Sequence, residues 1–215
     1  REAMQSNFPI AHLSSALRDF ALDLNRIAND LRLLSSGPTT GLAEIVLPAV
    51  QAGSSIMPGK VNPVIPEMMI QCAYMVMGHD NVITLAAQAG QLELNAFEPL
   101  IAYNFFQALK LLRNALPILT EKCIKGIKPN PEGLDVVYRS VGLVTALNPV
   151  IGYKAASRIA KKALETRRPV REIVLEEGLL DEETLDELLS PARMTRPQED
   201  VFDIAGKIHK RRKKV

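Results

Sequence analysis

Between Ile10 and Leu34, apolar residues fall at Ile10, Leu13, Leu17, Phe20, Ala21, Leu24, Ile27, Ala28, Leu31 and Leu34. Steps of three and four mark an amphipathic helix. At 1.5 Å per residue it is roughly 38 Å long, a length that calls for neighbours in a bundle. The run SSGP (Ser35–Pro38) stops it, because Gly37 can take a left-handed cap and Pro38 cannot continue a helix. A second helix is predicted from about Asn62 or Pro63, with Asn62 as N-cap, Pro63 in the first turn and a bend near Gly78–Asn81. A third is predicted over about Leu100–Cys123, with Phe105, Leu109, Leu112, Leu116 and Leu119 on one face and a kink at Pro117.

The pattern changes at KGIKPNPEG (Lys125–Gly133), which holds two prolines and two glycines. We place a domain boundary there, giving residues 1–127 to a helical bundle and residues 128–215 to a small helical C-terminal domain. Three shorter helices follow: one near Pro149–Glu165, one with Pro169 in its first turn and Gly178 at its end, and one capped by Asp181. No stretch alternates in the manner of a strand, so the expected fold class is all-α.

Composition narrows the possibilities. The chain has 215 residues, 47% of them hydrophobic, with a net charge of +2. That supports a sizeable core and gives no strong field for nucleic acid. The basic end KIHKRRKKV reads as a solvated terminus. No apolar run reaches membrane-spanning length, so no membrane partner is expected. Two cysteines, Cys72 and Cys123, make no disulfide framework and suit a reduced, cytoplasmic setting. Both lie on apolar helical faces and are expected in the core, as are Met68, Met69, Met75 and Met77. Of the three histidines, His12, His79 and His209, the middle one lies inside a helical pattern and is expected to pack or cap. The chain opens REAMQSNFPIAH, with neither an initiator Met nor a signal-peptide pattern, and reads as the C-terminal part of a longer protein.

Between the first two helices lies a long connection containing AGSSIMPGKVNP (Ala52–Pro63). Loops of this length inside compact domains are often functional. Gly53 and Gly59 permit close backbone approach, Lys60 brings a cation, and Asn62 brings donors and an acceptor. Ser54 and Ser55 add hydroxyls, and a helix start follows. Several donors and one cation without a neighbouring carboxylate suit a phosphate or a carboxylate. The spacing is not that of a P-loop. The same composition also suits a plain linker with a solvated lysine, and spacing alone does not separate the two.

GSSIMPGKVNP resembles the signature of the fumarase/aspartase superfamily, in the form found in the fumarase and aspartase branch. IANDLRLLSSGP (Ile27–Pro38), AGQLELNAFEP (Ala89–Pro99) and TALNPVIGY (Thr145–Tyr153) are similar to the same branch. The resemblance implies a helical lyase that releases fumarate. Ser54 would be the general base, Ser55, Lys60, Val61 and Asn62 would bind the substrate carboxylate, and Gly53, Met57 and Gly59 would frame the loop. NPVIPEMM after the loop and Glu98 favour ammonia elimination from L-aspartate, with fumarate hydration the alternative. The resemblance further implies a homotetramer whose active sites are shared between subunits. It implies a small dicarboxylate substrate; the chemistry itself implies no cofactor, and no residue is assigned as a metal ligand. The family's remaining motifs are absent from these residues, so the chain alone is expected to be inactive. The family often has Arg after SSGP, where this chain has Thr39. A non-catalytic helical oligomerisation scaffold is the competing possibility.

Overall fold

The computed structural model describes residues 2–51, 53, 57 and 60–195, the side chains of Ala3, Leu134, Asp135 and Val136 excepted. Its helices are α1 (Glu2–Gln5), α2 (Phe8–Leu34), α3 (Val64–Gln88), α4 (Glu98–Lys122), α5 (Pro131–Arg139), α6 (Val144–Ile151), α7 (Tyr153–Thr166), α8 (Val170–Glu176), α9 (Glu182–Leu188) and α10 (Pro191–Met194). The all-α expectation holds, with one small exception. Ile45–Val46 (β1) and Lys128–Pro129 (β2) form a two-stranded antiparallel ladder, pairing Ile45 with Pro129 and Val46 with Lys128. Strands of two residues are too short to leave an alternating pattern in the sequence.

Contacts divide the chain into two units, Arg1–Gly133 and Leu134–Val215. The division falls after Gly133 rather than after Ile127, because β2 and Asn130 bond back to the segment that precedes the long connection.

The first unit is a bundle of α2, α3 and α4. Its core holds Ala21, Leu24 and Ala28 from α2, Met69, Ala73 and Val76 from α3, and Ala108, Leu112, Ala115 and Leu119 from α4. Alanines at these positions let backbones approach closely, so the larger neighbours interlock. The buried face of α4 runs Ile101, Asn104, Ala108, Leu112, Ala115 and Leu119. The predicted face is met at Leu112 and Leu119, with Phe105 and Leu116 packed against the core, whereas Leu109 is exposed and small residues take the closest positions. α3 is continuous through Gly78–Asn81, where the sequence suggested a bend. α4 likewise runs unbroken through Pro117.

The buried polar residues Ser14, Asp80, Asn95 and Asn104 are paired. Ser14 Oγ donates to Asp80 Oδ1 at 2.6 Å, and Arg18 Nη1 donates to Asp80 Oδ2 at 3.2 Å. His79 Nδ1 lies 2.7 Å from Asn104 Oδ1, the structural role expected of it. The stretch AGQLELNAFEP is the turn between α3 and α4. Its buried Asn95 donates to Ala86 O at 3.0 Å and accepts from Phe97 N at 2.8 Å, tying the end of one helix to the start of the next. Cys123 is buried, whereas Cys72 is half-buried. Burial pushes both thiols above the ordinary cysteine value. Met69 lies in the core while Met75 is exposed, so the methionines are not all buried within this chain.

The second unit has its own core of Leu147, Val150, Ile159, Ile173, Leu185 and Leu188, all fully buried. The helix predicted near Pro149–Glu165 is two helices, α6 and α7, separated by Gly152 at φ 85. Only glycine takes that backbone angle cheaply. Asp181 caps α9 as predicted, accepting from Thr184 N at 2.8 Å. Pro169 stands at the N-cap of α8, one position before the predicted first turn. Arg171 joins α8 to α9, bonding Asp186 at 2.8 Å and Glu182 at 2.7 Å. Arg158 and Lys162 meet Glu177 at 2.6 and 3.2 Å. No single helix among the described residues is long and apolar enough to cross a membrane.

Candidate active-site loop

The long connection is held at both ends. Upstream, Ser35 Oγ and Ser36 Oγ close α2 by donating to Leu31 O and Leu33 O. The chain then turns back on itself. Ala43 N donates to Ser36 O at 2.7 Å and Glu44 N to Leu34 O at 2.9 Å, with Ala43 at φ 49. β1 follows and is paired to β2. Downstream, the connection enters α3 through Pro63, whose carbonyl accepts from Glu67 N at 3.1 Å. Asn62 is not the side-chain cap that the sequence suggested. Pro63 holds the cap position without a side-chain bond, and it is the Asn62 carbonyl that accepts from Val64 N. The Asn62 side chain is therefore not committed to the helix.

Lys60, Val61 and Asn62 line a cleft of about 560 Å³ together with Ser35, Ala43, Val46 and Asn130. Lys60 is exposed, and no carboxylate among the described residues pairs with its ammonium. Lys60 N donates to Met57 O at 3.2 Å. Gly53 lies so close to the Lys60 carbonyl that a Cβ there would overlap it. The two strands of the loop therefore meet at a neck that only glycine permits. Met57 and Val61 are half exposed. Ser54, Ser55 and Gly59 lie outside the described residues. Arg32 Nε stands 3.8 Å from Glu67 Oε1, linking the end of α2 to the first turn of α3 beside the cleft. Thr39 is exposed. Among the described residues, no group of three or more His, Cys, Asp or Glu is placed to hold a metal ion.

The structure thus brings Gly53, Met57, Lys60, Val61 and Asn62 to one place. It adds Ser35 and Asn130, which the sequence did not single out. Asn130 sits in KGIKPNPEG, which reads as a linker. Nothing in its local pattern signals a partner 87 residues away.

An exposed cation, an uncommitted carboxamide and a glycine-closed neck on a helical bundle are features that an anion-binding loop would need. Comparisons with known proteins give the class of the chain. Residues 1–78 match a family model described as "Lyase", and residues 143–196 match one described as "Fumarase C C-terminus". The aspartate ammonia-lyase of Pseudomonas aeruginosa is 56% identical over 186 residues, covering 86% of this chain and 39% of the relative. A crystal structure of fumarate lyase:delta crystallin from Brucella melitensis, bound to cobalt, matches with a TM-score of 0.83 at 51% identity, covering 91% of this chain and 43% of that one. A recombinant class II fumarase from Schistosoma mansoni matches with a TM-score of 0.83 at 38% identity, covering 92% and 42%. The chain belongs to the fumarase/aspartase superfamily of helical lyases. It spans about two-fifths of the length of the curated relatives it matches.

Proposed function

We propose that this chain is the loop-bearing part of an ammonia-lyase that converts L-aspartate reversibly to fumarate and ammonia. The observation that carries this is its 56% identity to a relative named aspartate ammonia-lyase, over 86% of its length. Ser54 acts as general base. Its alkoxide takes a proton from the carbon beside the substrate's side-chain carboxylate. The electron pair moves into that carboxylate, giving an aci-carboxylate with two negative charges. The pair then returns to form the carbon–carbon double bond as the C–N bond breaks and ammonia leaves.

Two physical demands follow. A serine hydroxyl is a weak base until its oxyanion is held, which calls for backbone N–H groups and a nearby cation. The aci-carboxylate needs donors aimed where charge develops, each worth roughly 3 kcal/mol in the transition state. Lys60 and Asn62 line one cleft and are free to serve the second demand. Ser55 and the backbone near Val61 complete the grip on the carboxylate.

The substrate is a small dicarboxylate, and the working enzyme is a cytoplasmic homotetramer with active sites shared between subunits. Leu13, Phe20 and Ile27, seven residues apart on α2, support the assembly. All three are exposed in the single chain, as are Tyr103 and Phe106 on α4. An apolar helical stripe of this period suits a second helix.

Feeding fumarate to the full-length lyase with and without ammonium tests the substrate. Consumption only with ammonium, yielding aspartate, is expected. Equal consumption without ammonium, yielding malate, would assign hydration instead, as the likeness to the class II fumarase allows.

A further inference from the structure

The two ends of the signature loop are secured by different means. Downstream, Val64–Gln88 begins at once and is buried in the bundle through Met69 and Ala73. Upstream there is no such anchor, because β1 is only two residues long. Residues 43 and 44 bond back to Ser36 O and Leu34 O on one side, and on the other the stretch 43–48 is held by the segment Gly126–Gly133. Asn130 Nδ2 donates to Ala43 O at 2.6 Å, and Asn130 N donates to Glu44 O at 2.9 Å. Lys128 and Pro129 pair with Val46 and Ile45. A Cβ on Gly133 would overlap the Ala43 carbonyl, and one on Gly126 would overlap the Pro48 ring. Two glycines and one carboxamide thus grip the same backbone.

We infer that Gly126–Gly133 is a clasp that sets the upstream end of the loop, and that Asn130 is a positioning residue for the elimination. The inference rests on the lyase function proposed above. Asn130 is half-buried where this clasp and the cleft meet, since it lines the cleft with Lys60 and Asn62. Its contact is with backbone, so it acts through the placement of the loop. Ala43 adds to the need for a clasp: at φ 49 it holds a left-handed angle that alanine disfavours, and tethers must keep it there. Placement matters because a misplacement on the order of 1 Å can cost about 10²-fold in rate.

The test uses the full-length lyase with Asn130→Ala, Asn130→Gln and Gly133→Ala. Asn130→Ala removes one donor and leaves the backbone ladder in place. Its kcat is expected to fall about tenfold, part of the full misplacement cost, with KM within about twofold of wild type. Gly133→Ala, which forces the Ala43 carbonyl away, should act in the same direction. Asn130→Gln keeps a donor and should recover part of the loss. Tryptic cleavage after Lys60, followed by mass spectrometry, should be about tenfold faster in Asn130→Ala, in step with the loss of placement. Unchanged kcat and unchanged cleavage would overturn the inference. So would a kcat loss that tracks global unfolding alone. If the wild-type enzyme proves not to be a lyase, the proposed function fails, and the cleavage rates still decide the clasp.

Discussion

Gly53→Ala probes the neck of the loop. In the wild type, Gly53 faces the Lys60 carbonyl at a distance that excludes a Cβ. Two effects oppose each other. Replacing glycine by alanine restricts the unfolded chain and stabilises a protein by about 0.4–1 kcal/mol where the site accepts the methyl group. Here the obstacle is a backbone carbonyl rather than the flexible end of a side chain, so it cannot rotate aside. Ordinary contact begins at 3.4 Å, and the neck must open by well over 1 Å to reach it. Ser54 follows Gly53 directly, and Lys60 stands on the other side of the neck. Under the proposed function, opening the neck by that amount misplaces the carboxylate-binding Lys60 relative to Gly53 and so disturbs the loop that the elimination needs. A shift on the order of 1 Å is worth about 10²-fold in rate, or about 2.7 kcal/mol of barrier. Steady-state turnover of aspartate by full-length Gly53→Ala should fall by about that factor, with unchanged far-ultraviolet circular dichroism and elution volume. A kcat within threefold of wild type, in an intact oligomer, would refute the neck as a positioning element.

Two further expectations concern stability. Ser14→Ala deprives the buried Asp80 carboxylate of a 2.6 Å donor and should destabilise by about 2 kcal/mol in urea melts. Arg18→Ala should cost less, since its side chain is 41% exposed and solvent screens its pairing with Asp80. The reverse order would mean that the ion pair, not the hydroxyl, holds the carboxylate. In the second unit, the Arg158 hydrogen bond holds the Glu177 carboxyl below the usual carboxylate range, and Arg171 does the same for Asp186. A carboxyl depressed in the folded state stabilises above its ordinary value and loses that contribution as pH falls through the folded value. Thermal midpoints should therefore be flat above about pH 5 and fall below about pH 4, and Arg158→Ala or Arg171→Ala should flatten the fall.

The long helices were legible because each needs an unbroken 3.6-residue period over many turns. α2 in particular shows it from Ile10 to Leu34. The buried face of α4 was legible in part: Leu112 and Leu119 are buried and Phe105 and Leu116 pack against the core, but Leu109 is exposed. Periodicity weights large residues such as Leu109, whereas close packing selects Ala108 and Ala115. Asp181 was readable as a cap because its partner is three residues away. The break at Gly152 was hidden because α6 and α7 carry similar apolar spacing on both sides of it. At the loop, residue chemistry made Lys60 and Asn62 candidates, spacing alone left a plain linker open, and the family resemblance singled them out; the two do share a cleft. None of these revealed Asn130 or the ladder of β1 with β2, since those depend on contacts between segments far apart in the chain.

Aspartate turnover by the full-length Ser54→Ala enzyme, with its oligomeric state checked by sedimentation, bears most directly on the chemistry assigned to the loop. Removing a general base costs 10²- to 10⁴-fold, so a drop of about 10³-fold with assembly intact is expected. Wild-type turnover by the alanine variant would contradict it.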